Sequence, residues 1–311
     1  MNRPEPAFPI RLLALDIDGT LVGDDLILRE RTRAAIVAAV QRGIHVSLAT
    51  GRMASSALVF ARELGLRDPI VAYQGALVRA MPSADSRTGR LLSHHPLAPA
   101  VAREAIVWSR AHGLDPHVNH LERFIIRADD PRAEDYSAFL GSRAELVPDI
   151  VAAIDRPVTK VIAVGEEPRP AALLALARRR FANRAGVTIS HPRFLEFVSP
   201  GISKGRAVRL LARRWGIPPS QVLAIGDQLN DLEMVSAVGH GVAMAHAPFE
   251  VRDAARYVAP PVNDEGAAQL IEALVLERPG VARANAERLV AKTASALDAE
   301  RRQSATHSRP A

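Results

Sequence analysis

Two carboxylates stand two residues apart in Asp16-Ile17-Asp18-Gly19-Thr20, where a short apolar run ends abruptly. In an extended segment alternate side chains project the same way, so this spacing brings both acids to one place. One can attack as a nucleophile while the other manages a proton. A pair of turn-forming acids has the same spacing, and this motif alone does not choose. Thr50-Gly51-Arg52 sets a hydroxyl and backbone N–H groups just ahead of a helix expected from Met53. A helix N-terminus favours anions, so the segment can hold a phosphate oxygen, although an ordinary helix cap reads the same way. Lys204, in Gly201-Ile202-Ser203-Lys204-Gly205, falls in the first turn of a helix that Ser203 can cap. A cation there opposes the helix dipole, and a countering anion explains it better than helix stability does. Gly226-Asp227-Gln228-Leu229-Asn230-Asp231 brings two acids and an amide together. Such oxygen donors can complete a shell for Mg²⁺, which takes a few carboxylates plus waters and substrate phosphate. A Gly-Asp turn before a helix is the plain alternative, and the added Asn-Asp fits it less well.

Each cluster sits where an apolar strand is expected to end, and ligands of open α/β sheets collect outside those carboxyl ends. Strands are expected at 10–15, 44–49 and 70–73, with helices at 29–42 and 53–64 between them. That alternation is the pattern of a parallel sheet with right-handed crossovers. Between Met81 and His191 the rhythm changes: helix at 99–112, strand at 123–128, helix at 131–140, strand at 158–164 and helix at 170–182, which reads as an inserted domain. After 194–198 the first pattern resumes, with a helix at 203–215, a strand at 222–225 and a helix from Asp231. Short strands at 241–243 and 256–258 and a helix at 265–276 follow. The expected organisation is a discontinuous core over residues 1–82 and 193–278, an insertion over 83–192, and a tail over 279–311. The fold class is α/β: a doubly wound, Rossmann-like parallel-sheet core carrying a smaller α/β cap.

The 311 residues exceed one typical domain, and 48% hydrophobic with 24% charged residues is the balance of a globular chain. Cysteine is absent, which excludes disulfide frameworks, thiolate metal sites and cysteine nucleophiles, and suits a cytoplasmic setting. The first residues carry an acid and two prolines instead of a signal-peptide apolar region, and no long apolar run suggests a membrane span. A charge of +6 and a pI near 10.4 raise the question of nucleic acid. Half of that excess lies in Leu276–Ala311, with seven Lys or Arg against four Asp or Glu. Aromatics at 4% leave little surface for stacking bases, so a nucleic-acid partner is not expected.

Taken in order, the Asp-x-Asp-Gly-Thr, Thr-Gly-Arg, Lys and Gly-Asp-x-x-Asn-Asp elements resemble the four motifs of the haloacid-dehalogenase superfamily. The insertion between the second and third, with Gly241-Val242-Ala243-Met244 and Asn263-Asp264-Glu265-Gly266 downstream, is similar to the Cof-like sugar-phosphatase branch. The resemblance spans residues 10–276 and implies a cytoplasmic Mg²⁺-dependent phosphatase acting on a small phosphorylated metabolite. It implies Asp16 as nucleophile and Asp18 as general acid and base. Mg²⁺ would be held by Asp16, the Asp18 carbonyl and Asp227, with Asp231 as a further or outer ligand. Thr50, Gly51 and Lys204 would hold the phosphoryl oxygens, Asn230 would orient that group, and Arg52, Gln74 and Gly75 would meet the substrate. Two departures bear on substrate contacts and not on the nucleophile, acid, lysine or metal acids. Gln74-Gly75-Ala76 stands where the branch commonly has Asn-Gly-Ala, and His246 where Asn often follows the Val-Ala-Met stretch.

Other clusters carry less. His94-His95, or His112 with His117 and His120, matches no zinc spacing. Arg178-Arg179-Arg180 reads as a solvated helix face, and Phe8, Trp108 and Trp215 as packing residues. The competing functions are a phosphosugar mutase on the same core, a weakly catalytic phosphometabolite-binding protein, and a nucleic-acid binder whose affinity would reside in 279–311.

Overall fold

The computed structural model describes residues 10–277, apart from 84, 85, 87, 131, 132, 135, 136 and 138–142. The expected helix at 131–140, Phe8 and the tail from 279 lie largely or wholly outside the described residues. The chain divides into two compact units. The first takes in the described residues of Met1–Val46, Ala212–Asp227 and Met234–Ala311, and the second those of Ser47–Leu211 with Gln228–Glu233.

Strand β1 (Leu12–Leu15) is buried at every residue, as its unbroken Leu-Leu-Ala-Leu run requires of a central parallel strand. Helix α1 (Glu30–Gln41) follows, and then β2 (His45–Leu48), inside which the division between the units falls. Later in the chain come β12 (Val222–Gly226), β13 (His240–Met244), helix α7 (Phe249–Ala254) and β14 (Tyr257–Ala259). The five-stranded order is β14-β13-β12-β1-β2. β1 pairs with β12, β12 with β13 and β13 with β14, all in parallel. Helix α8 (Gly266–Ile271) closes the first unit, and the chain runs on as a π-helix over Glu272–Leu276. The sequence pattern predicted one helix there. Glu265, in the left-handed region at φ 54°, precedes α8 and turns its carboxylate to the start of α1, accepting from the Thr32 backbone N–H at 3.0 Å and its hydroxyl at 3.2 Å. A carboxylate on the free N–H groups of a helix start is a favourable cap.

The second unit begins with α2 (Ala54–Glu63), β3 (Ile70–Ala72), β4 (Leu77–Arg79) and β5 (Leu91–His94), the three strands forming an antiparallel sheet. Next come α3 (Pro99–Ala111), β6 (Asp115–His120), β7 (Arg123–Arg127), β8 (Ala144–Val147), β9 (Lys160–Val164), α4 (Arg169–Arg180), β10 (Gly186–His191) and β11 (Phe194–Val198). Their sheet has the order β10-β11-β9-β6-β7-β8, antiparallel except where β7 meets β8. β11, expected in the core, pairs with β9 and β10. One face of this sheet is apolar: Val118, Val161, Ala163, Leu195 and Phe197 bury against Ala102, Ile106, Ala177 and Phe181 of the helical layer. Trp108 joins it, stacked on His112 at 4.1 Å and edge-on to Phe181 and Phe197. In the first unit Trp215 stacks on His45 at 4.1 Å, so both tryptophans serve packing. The Arg178–Arg180 run is exposed, with Arg178 donating to the Val187 carbonyl and Arg180 paired to Glu104. Helix α5 (Lys204–Arg214) leaves β11, straddling the division at its last turns, and α6 (Leu232–Ser236) does likewise.

Candidate active site

In the first unit Asp16 is the residue immediately after β1, its N–H donating to the Ile225 carbonyl of β12 at 3.0 Å. Asp227 occupies the corresponding place directly after β12. Two neighbouring parallel strands therefore deliver one acid each, and both are buried, at 4% exposure. A carboxylate oxygen of each lies within 4.8 Å of the other. After Asp16 the chain folds back sharply: Leu21 and Val22 donate to the Ile17 carbonyl, and Gly19 to that of Val22. Gly19 sits at φ 74°, and a Cβ there would meet an Asp227 carboxylate oxygen at 2.2 Å. This turn admits glycine alone, because any side chain would displace Asp227. Thr20 donates to Asp227 at 3.4 Å, and His246 Nε2 lies 3.4 Å from the same carboxylate. Asp18 is half-buried in the turn, bridged through its backbone to Val22.

Two like charges this close repel by roughly 3 kcal/mol or more at an effective dielectric of 20. Hard carboxylate oxygens of this kind, facing one another in a buried place, fit a divalent cation, and an all-oxygen donor set suits Mg²⁺ better than zinc.

The second unit gathers the remaining predicted residues. Thr50 is fully buried, and its hydroxyl accepts from the Arg52 N–H at 3.0 Å. The loop is clamped by the segment after β3: Gln74 N–H donates to the Thr50 carbonyl and Tyr73 N–H to that of Arg52. Tyr73 and Gln74 both adopt positive φ, at 53° and 61°. Gly75 at φ 93° would place a Cβ 2.3 Å from the Ser203 carbonyl, so it lies directly against the N-terminus of α5. Lys204, the first residue of that helix, is wholly buried and pairs with Asp231 at 2.8 Å. Asp231 accepts from the Gln228 N–H on its other oxygen at 3.2 Å, so both of its oxygens are engaged. The predicted conflict between a cation and the α5 dipole is thus resolved by a buried acid. Asn230 donates its amide to Gln74 Oε1 at 2.8 Å. Arg52 reaches Ser56 at 3.2 Å and stacks over Phe60.

Three polar groups here were not singled out from sequence. Lys160 donates to the Gly51 carbonyl at 2.7 Å and pairs with Glu196 at 2.9 Å, and Glu196 also accepts from Gln74 Nε2 at 3.0 Å. A lone acid inside the apolar strand Phe194–Val198 was the available signal for Glu196. Thr20 lay within the first motif but was assigned nothing. Of the histidines considered for metal, three are engaged elsewhere: His94 with Thr159 at 3.1 Å, His112 with the Trp108 carbonyl at 2.7 Å, and His117 with Asp130 at 3.3 Å.

Residues 13–271 match the model of the haloacid dehalogenase-like hydrolases, and the chain belongs to that family, in its Cof-like branch. It is 32% identical over 240 residues to an HMP-PP phosphatase of Cronobacter sakazakii, covering 76% of this chain and 85% of that protein. It is 24% identical over 286 residues to a 5-amino-6-(5-phospho-D-ribitylamino)uracil phosphatase of Bacillus subtilis, covering 86% of this chain and 98% of that one. Among solved structures, a haloacid dehalogenase-like hydrolase from Bacteroides thetaiotaomicron superposes with a TM-score of 0.72 at 26% identity, over 85% of this chain and 98% of that one.

Proposed function

We propose that the protein is a Mg²⁺-dependent phosphatase that hydrolyses small phosphate monoesters, sugar phosphates or similar metabolites, through an aspartyl-phosphate on Asp16. The observation that carries the reading is the burial of Asp16 and Asp227 side by side at the ends of two adjacent parallel strands. The Cronobacter and Bacillus relatives are phosphatases, and this chain is one; the metal, the covalent intermediate and the residue roles are the proposal.

In that proposal Asp16, the Asp18 carbonyl and Asp227 hold Mg²⁺, with Asp231 as the further carboxylate. The metal supplies the positive charge that lets a phosphate dianion approach clustered acids. Asp16 attacks phosphorus, and the bond to the leaving oxygen breaks as Asp18 gives that oxygen a proton. Asp18 then takes a proton from water, which attacks the acyl phosphate and regenerates Asp16. Thr50, the Gly51 backbone and Lys204 hold the phosphoryl oxygens, and Asn230 keeps the group in line. Arg52, Gln74 and Gly75 face the substrate side. Residues 1–82 and 193–278 form the catalytic core in this reading. The insertion over 83–192, its sheet completed by β11, sets specificity in a cytoplasmic enzyme. Among the described residues no helix is long and apolar enough to cross a membrane.

The test is release of inorganic phosphate from a panel of small phosphomonoesters, with Mg²⁺ and with EDTA. Release that needs Mg²⁺, and falls on the order of 10²–10⁴-fold in Asp18→Asn, is expected. Release indifferent to EDTA, or transfer to a second sugar in place of water, would overturn the reading.

A further inference from the structure

The second unit contains a buried ion pair that the proposed chemistry does not use. In β6, β9 and β11, Val118, Val161, Ala163, Leu195 and Phe197 belong to the apolar face, packed under α3 and α4. Asn119 stands opposite Lys160, and His117 and Glu196 stand opposite Ile162, so these polar side chains share the other face. Lys160 and Glu196 are 3% and 2% exposed. Burying an ion pair seldom adds stability over an apolar pair of similar volume, so its presence here calls for another account.

The contacts supply one. The Lys160 ammonium, over the Tyr73 ring at 5.8 Å, donates to the Gly51 carbonyl in the predicted phosphate loop. Glu196 Oε2 accepts from Lys160 and from Gln74 Nε2, while Ser190 donates to its other oxygen at 2.5 Å. A carboxylate only accepts here, which turns the Gln74 amide so that its NH₂ faces Glu196 and its oxygen faces Asn230. That oxygen takes one N–H of Asn230 and leaves the second for another acceptor. The Gln74 amide also lies directly on the Gly51 Cα, where a Cβ would meet Nε2 at 2.4 Å. Gly51 is thereby fixed from two sides, through its carbonyl and through its Cα.

We infer that the Lys160–Glu196 pair positions the phosphate-binding half of the site, holding the Thr50–Gly51 backbone and, through Gln74, the Asn230 amide. This rests on the phosphatase reading. Neither residue touches the reacting atoms in it; both act through Gly51, Gln74 and Asn230. Gln74, which departs from the branch's usual Asn, is the link that makes the chain of contacts continuous.

The test compares wild type, Asp16→Asn, the double variant Lys160→Met with Glu196→Leu, and Phe181→Leu on the apolar face of the same sheet. Affinity for inorganic phosphate in the presence of Mg²⁺, kcat and KM are measured below the melting transition of each. The double variant leaves no unpaired buried charge, so it should unfold cooperatively. It is expected to bind phosphate at least about tenfold more weakly and to lose about 10²-fold in kcat/KM, as misplacement by about an ångström does. Phe181→Leu should melt earlier and keep its phosphate affinity. Asp16→Asn should lose turnover, and turnover kept there strikes the phosphatase reading alone, because the inference is judged on the phosphate affinities of wild type, the double variant and Phe181→Leu. A folded double variant with phosphate affinity and kcat/KM within twofold of wild type would overturn the inference.

Discussion

Lys204 and Asp231 face each other at 2.8 Å with neither side chain reached by solvent. Removing the cation would leave a buried carboxylate uncompensated, so Lys204→Ala should cost about 3–5 kcal/mol of unfolding free energy, besides weakening phosphate binding. A denaturant titration showing no loss would mean that Asp231 finds another partner. His240 gives a pH-dependent case. It is buried, and desolvation, then the neighbouring Arg256, hold its pKa down to about 4. A base depressed in the fold stays neutral while the unfolded chain takes up a proton near its ordinary value of about 6.5. Stability is therefore intact above that value and is lost as pH falls toward 4, by on the order of 3 kcal/mol for this group. Unfolding followed between pH 7 and 4 should show that slope, and His240→Gln should flatten it. Asp16 and Asp227 were legible at this scale because each follows directly on an apolar strand, and Lys204 because a cation at a helix start opposes the dipole. Lys160 and Glu196 were not, because their meaning depends on which strands become neighbours.

Among the elements, a close approach of backbone to backbone lies at Gly75, between the loop holding Gln74 and the start of α5. A side chain there would need φ 93° and would meet the Ser203 carbonyl at 2.3 Å. Gly75→Ala should push the α5 N-terminus, and Lys204 with it, away from the Thr50 loop. We expect a fold that melts several degrees earlier and a rise in KM larger than the fall in kcat. Kinetics equal to wild type would show that the loop yields instead. Strands that were apolar runs, such as β1, β2, β9 and β12, were readable within a residue or two. β6 was missed because Asp115-Pro116-His117-Val118-Asn119-His120 looks polar, although four of its six residues are buried. His117 and Asn119 line the face shared with Lys160, a burial that periodicity cannot anticipate. β4, β5, β8 and β10 were missed as well, along with α7, which at six residues is too short for a 3.6-residue period to register.

For the molecule as a whole, the alternation of strands and helices identified an α/β chain with an interruption, and the family match over residues 13–271 agrees with it. Strand order was beyond the sequence. β1 becomes the neighbour of β12, some two hundred residues away, and this pairing sets Asp16 beside Asp227. The basic excess of the last segment, by contrast, belongs largely to residues outside those described. The central claim is that this arrangement makes Asp16 a nucleophile. The most direct measurement is acid quenching of the enzyme during turnover of a radiolabelled phosphate monoester with Mg²⁺. The account predicts protein-bound label, released by hydroxylamine as an acyl phosphate is, mapping to the peptide that carries Asp16 and absent from Asp16→Asn. Turnover without such label, or label that persists in the Asp16 variant, would contradict it.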